Sequence, residues 1–137
     1  MRRLVIGSLT LVLALGAPLG ATAAASPTFR MSIVHYVRGC HAWKTSAVKG
    51  PSTSINVPRG TRVLIRLSCP MDFEFSQRTG PRLALGDARS RAGTTRVVVF
   101  RKPGRYVLEA RNLQSSDEVG LETLGDDNTL TLTVRVR

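Results

Sequence analysis

Cys40, His41, Cys69 and Met71 carry the side chains best suited to holding a soft metal or forming a covalent cross-link. Thiolate, imidazole and thioether together suit Cu(I). They can close on one ion only if the segment around Cys40 comes beside the segment around Cys69. Neighbouring residues on a regular strand point to opposite faces, so Cys40 and His41 can act together only where the backbone is irregular, which Gly39 permits. The other chemistry open to the two cysteines of this chain is a disulfide. In an oxidising compartment the cysteines of a small domain usually pair, and closing a loop of about 30 residues stabilises a fold by roughly 3–4 kcal/mol on the chain-entropy model. In that reading Cys40–Cys69 is a staple and His41 a polar packing or surface residue. His35 alternates with apolar neighbours and reads as a partly buried histidine rather than a ligand.

Catalytic constellations are missing. A hydrolase needs a nucleophile, a base and an orienting acid that meet in space, and the sequence has no Gly-x-Ser-x-Gly elbow and no motif around either histidine. Asp72 and Glu74 share a parity, as solvated residues of a strand commonly do. The glycines are scattered among turns and form no phosphate-cradling loop. Asp117, Glu118, Glu122, Asp126 and Asp127 lack the oxygen spacing of a calcium loop and read as a loop that partly offsets neighbouring arginines. The expectation is therefore a protein that is not an enzyme and has no catalytic residue.

Charge is the strongest compositional signal. Lys and Arg number 20 against 9 Asp and Glu, a formal net charge of +11. Arg62, Arg66, Arg105, Arg111, Arg135 and Arg137 fall on solvent parities, with Arg96, Arg101 and Lys102 near a turn, and could merge into one anion-binding face. Partners of that chemistry are anionic cell-envelope polymers, acidic lipid headgroups or an acidic protein. One Trp and two Tyr are too few for the stacking that single-strand nucleic-acid binders use, and export also argues against nucleic acid. Basic side chains also serve plain solubility and keep strand edges from pairing.

These residues need elements to position them. Met1-Arg2-Arg3, an apolar run from Leu4 to Leu19, and the small residues Ala21-Thr22-Ala23-Ala24-Ala25 read as a cleavable secretion signal over residues 1–25. Gly7, Gly16, Pro18 and Gly20 interrupt the run, which falls short of the roughly 20 apolar residues of a span. Removing it leaves one domain over residues 26–137, takes the charge from +11 to +9 with the loss of Arg2 and Arg3, and places the product outside the cytoplasm with no membrane span. Period-two alternation predicts strands over residues 28–37, 52–57, 61–69, 96–101, 105–111 and 129–137, with shorter ones over 72–76 and 82–85. Pro58-Arg59-Gly60 and Arg101-Lys102-Pro103-Gly104 each sit between two such strands and read as hairpin turns. Residues 86–93 read as a loop, and 115–124 as a short helical turn. Many short strands at close spacing predict an all-β sandwich.

The order Gly39-Cys40-His41-Ala42-Trp43, Pro58-Arg59-Gly60, Lys102-Pro103-Gly104-Arg105-Tyr106 and Gly125-Asp126-Asp127-Asn128-Thr129-Leu130 resembles secreted bacterial cupredoxin-like domains over most of residues 28–137. The resemblance implies a Greek-key β-sandwich, and in copper-holding members two histidines, a cysteine and often a methionine at one end, most of them on the loop before the last strand. This chain departs from that pattern. Residues 112–128 contain no Cys, His or Met, and where relatives carry Met-Pro-His it reads Met71-Asp72-Phe73. The expectation is an exported binding or structural module without a blue-copper site or other cofactor. Copper held by Cys40, His41, Cys69 and Met71, in a carrier or sensor, is the alternative.

Overall fold

The computed structural model describes residues 24–36, 42–113 and 129–137. Cys40, His41, nearly all of the signal segment, the acidic cluster at 117–127 and the turn expected at 115–124 lie outside them. Alternation decides which side of each strand faces inward. β5 (Thr61–Leu67) buries Val63, Ile65 and Leu67 and exposes Arg62 and Arg66, while β10 (Thr129–Val136) buries Leu130, Leu132, Val134 and Val136. The same logic forms β1 (Thr28–Val34), β4 (Ser52–Val57), β6 (Phe73–Thr79), β8 (Thr95–Phe100) and β9 (Gly104–Asn112). Three short strands complete the set: β2 (Ala42–Lys44) and β3 (Val48–Gly50), in a stretch with no alternation to announce them, and β7 (Arg89–Ser90), inside the expected loop over 86–93.

Two five-stranded sheets result, with strand orders β3-β2-β1-β5-β8 and β4-β10-β9-β6-β7. Both are mixed: β1 runs parallel to β5, and β4 parallel to β10. Between them the rings of Trp43, Phe73, Phe75, Phe100 and Tyr106 fill the core with Ile33, Ile65, Leu108 and Leu132. The indole N–H of Trp43 is buried with no acceptor among the described residues.

Neither expected hairpin forms. β4 pairs with β10 in one sheet, whereas β5 pairs with β1 and β8 in the other. β8 and β9 are divided in the same way, so both turn sequences are arches that carry the chain between sheets. The first arch is stitched to both sheets: the Gly60 N–H donates to the Phe100 carbonyl (2.7 Å) and the Arg59 N–H to the Arg137 carbonyl (2.9 Å). The Thr61 hydroxyl donates to the Pro58 carbonyl (2.6 Å), and Gly60 takes φ +84°, a conformation open to glycine. In the second arch the Tyr106 hydroxyl donates to the Lys102 carbonyl (2.6 Å), and its ring meets Phe100 edge-on at 5.0 Å. That contact buries an aromatic from each sheet beneath the turn, which holds the two strands apart in different layers.

Two further expectations change. Residues 82–85 form no strand. One side-chain amide fixes the turn before them and the Leu83 N–H: Gln77 Nε2 lies within hydrogen-bond distance of the carbonyls of Thr79, Gly80 and Pro81, and Gln77 Oε1 accepts from the Leu83 N–H (2.9 Å). Leu83 and Leu85 still pack on the core. His35 is exposed rather than partly buried, because β1 ends at Val34 and the inward alternation stops there.

Candidate functional site

The six arginines expected to form one anion-binding face separate into three places. Arg62 and Arg66 lie on the outer face of β5, where the register sets Ser32 between Arg66 and Lys44. Arg30, Lys44 and Arg66 border a shallow depression, together with the hydroxyl residues Ser32, Thr45 and Thr95. Arg111 is on the other sheet, where its Nη2 pairs with Glu74 Oε2 at 2.9 Å. The remaining three, Arg105, Arg135 and Arg137, gather at the end of the sandwich where both arches cross.

Six cations are carried by the strands and arches that meet at that end. Arg105 and Arg135 are direct cross-strand partners on β9 and β10, two like charges side by side. The Arg59 to Arg137 backbone bond brings the first arch beside the end of β10, and Arg101 and Lys102 lie on the second arch. Arg59, Arg101, Lys102, Arg105, Arg135 and Arg137 are all exposed. Among the described residues no ion pair joins any of them to an Asp or Glu side chain. Like charges directly opposite on a sheet are destabilising, so an anion placed here would remove a cost that the fold otherwise carries. Arg59 was legible only as a turn residue, since its placement beside Arg137 depends on parallel pairing of β4 with β10.

Three described carboxylates, on Asp72, Glu74 and Glu109, are committed to other arginines. Asp72 Oδ2 accepts from Arg89 Nη2 (2.8 Å), and Asp72 Oδ1 accepts from the Ala92 N–H (2.9 Å). The backbone bond from Ala92, and then Arg89, hold the Asp72 carboxyl below its ordinary 3.8. Glu109 pairs with Arg78 at 3.1 Å. Asp72 and Glu74 thus face separate arginines and do not form an acid–base pair.

Arg96, expected with Arg101 and Lys102 among the cations near a turn, is instead buried. Its guanidinium stacks 4.7 Å over the Phe75 ring and donates to Ser90 Oγ (2.8 Å), the Leu85 carbonyl (2.8 Å) and the Asp87 carbonyl. Burial lowers its pKa, opposed by the Asp87 carboxylate. The signal was present in parity, for Arg96 alternates in step with Val98 and Phe100 on the inward side.

At the opposite end Cys69 and Met71 are both buried, and Asn112 Nδ2 donates to Met71 Sδ at 2.8 Å. Phe73, in place of the histidine the resemblance implies, is a fully buried core ring. The described residues contain no group of three His, Cys, Asp or Glu that could hold a metal. With His35 exposed, they do not by themselves make a blue-copper site, which needs a thiolate and two imidazoles around one ion.

A scan of protein-family models and a search of curated proteins return no match. Among solved structures the fold is similar to part of a multi-copper oxidase from Pseudomonas parafulva (TM-score 0.53, 20% identity, 80% of this chain and 29% of that one). It is similar in the same way to part of a multi-copper oxidase from Pseudomonas thermotolerans (TM-score 0.50, 14% identity, 84% and 30%). This chain therefore spans less than a third of the length of either oxidase. Auracyanin from Roseiflexus castenholzii aligns over 80% of this chain and 98% of its own with a TM-score of 0.38 and 14% identity. With its two mixed sheets crossed by arches, the chain is a cupredoxin-like β-sandwich.

Proposed function

We propose that the protein is an exported, non-catalytic binding module of the cell envelope whose arch end holds an anionic polymer. The observation that carries this reading is the cluster of six exposed cations to which no described Asp or Glu side chain is ion-paired, including the facing Arg105 and Arg135. Clustered like charge of this kind draws polyanions and makes their binding sensitive to salt. The sequence supports export through its signal-like residues 1–25 and offers no catalytic motif. The test is titration of the exported protein with a soluble phosphorylated polysaccharide at about 0.15 M salt, where exposed charges are screened beyond roughly 8 Å. Replacing both arginines, Arg105→Glu with Arg135→Glu, should weaken binding by about tenfold or more. Binding that is absent, or unchanged in the double variant, overturns the proposal.

A second reading has Cu(I) held by Cys69 and Met71 with Cys40 and His41, in a copper carrier or sensor. It is supported by the burial of both sulfur side chains at one end of the sandwich. The thiols would then be reduced, and Cu(I) would bind in near-equimolar amount and be lost in His41→Ala. An intact mass that gains two hydrogen atoms on reduction, with no metal, would instead establish the Cys40–Cys69 disulfide and remove this reading.

A further inference from the structure

Strand edges separate β8 from every other border of the two sheets. A sheet edge offers unpaired N–H and C=O groups to any extended chain, and proteins usually shorten or cover such edges. β3 has three residues and β7 two, and β4 lies against β2 and β3 of the opposite sheet. β8 has six residues, contains no proline and, among the described residues, pairs on one side only, with β5. The bond from the Leu67 N–H to the Thr94 carbonyl (2.9 Å) fixes the phase of that ladder. In an antiparallel pair the bonding positions alternate, so Arg96, Val98 and Phe100 turn their backbone groups toward β5, while Thr95, Val97 and Val99 turn theirs outward.

What faces this edge is a cleft of about 420 Å³. Leu83 and Ala84 from the stretch after β6 form one wall, Val97 and Val99 of β8 face them, and Tyr106 of β9 also lines the cleft. Val97 is 43% exposed. No backbone hydrogen bond crosses from residues 82–86 to β8. The wall of Leu83 and Ala84 is held in place from both ends, by the Gln77 amide on Pro81 and Leu83 and by the Arg96 guanidinium on the Leu85 and Asp87 carbonyls. The gap is therefore a preformed feature between two anchored walls. Its charged rim is wholly basic, with Arg82, Arg101 and Lys102.

We infer that this cleft receives an extended, acidic segment of a partner polypeptide, which adds to β8 as a sixth strand of its sheet. The backbone groups of Thr95, Val97 and Val99 supply main-chain bonds. Alternate side chains of the segment rest on Leu83, Val97 and Val99 or reach Arg82, Arg101 and Lys102, the division of affinity and specificity that strand addition uses. The basic rim selects an acidic segment over a second copy of this chain, because pairing two β8 edges would bring the same cations together.

The test is fluorescence anisotropy of the full chain with a dye-labelled decapeptide in which Glu alternates with Val and Thr. Val97→Pro deletes an N–H that faces away from β5, a position where an edge strand accepts proline. It should weaken peptide binding by more than about tenfold, with little change in thermal midpoint, while Val97→Thr, which keeps the N–H and alters only the side chain, weakens it several-fold less. The same peptide N-methylated on alternate amides should fail to bind wild-type protein, a measurement that stands even if the proline variant unfolds. Arg82→Glu should weaken binding by about fivefold. Absence of saturable binding, or binding that survives both Val97→Pro and N-methylation, overturns the inference. So does a dimer of the free protein that Val97→Pro abolishes, which would give the edge to a second copy. Arg105→Glu with Arg135→Glu should leave peptide binding intact while reducing polymer binding, so this inference and the proposed function can fail separately.

Discussion

Along β9, arginines a few residues apart meet opposite fates. Arg111 pairs with Glu74, and the neighbouring Glu109 takes Arg78 from β6. Arg105, on the same outer face of the same strand, stands opposite Arg135. The paired region is electrostatically self-contained, and exposed pairs of this kind contribute little to stability. At the arch end no described carboxylate side chain pairs with the cations. Position in the register, rather than the number of arginines, separates a structural cation from one available to a ligand.

Arg96 tests the structural side of that contrast most severely. Its guanidinium satisfies two carbonyls and a hydroxyl from a buried position, so Arg96→Met should cost about 3 kcal/mol, read as a lower urea midpoint, while polymer binding by the folded fraction is unchanged. A loss of polymer affinity without loss of stability would place Arg96 in the ligand site and erase the distinction. A smaller effect of opposite sign is expected at the arch end. Arg105→Thr removes one member of the like-charge pair, and should raise stability by about 0.5 kcal/mol as it weakens polymer binding. If stability falls instead, the pair is not strained and the argument for the site weakens.

The smallest effect concerns Asp72 and appears with pH. Its carboxyl titrates below 3.8 in the folded protein, so on acidification the unfolded chain takes up the proton first. The stabilisation is complete above the unfolded value and is lost as pH falls through the folded one. Asp72→Asn should cost roughly 0.3 kcal/mol near neutrality and flatten this part of the acid dependence, which chemical denaturation between pH 5 and about 2 would resolve. An unchanged acid profile in the variant would assign the acid sensitivity to other carboxylates.

The sulfur-bearing residues and the arginines differ in how much of their role can be read from order along the chain. Cys69 and Met71 share a parity at the close of the β5 alternation, and both are buried as that parity implies. The inward position of Arg96 was equally present in its alternation with Val98 and Phe100, and was obscured by its charge. No local pattern could place Arg59 beside Arg137, or oppose Arg105 to Arg135. Those contacts join residues far apart in sequence through the β4–β10 and β9–β10 ladders.

The residues alone determined that the chain is an all-β sandwich and which side of most strands is buried, because a period of two has only one solution when one face must leave water. Only the tertiary structure decided which sheet each strand joins. A hairpin and an arch present the same inward parity on both sides of a Pro- and Gly-containing turn, so Pro58-Arg59-Gly60 and Lys102-Pro103-Gly104 carry no local mark of the crossing. Partners distant in sequence settle it, and with it the meeting of the two arches, the exposed cations they carry and the open edge of β8.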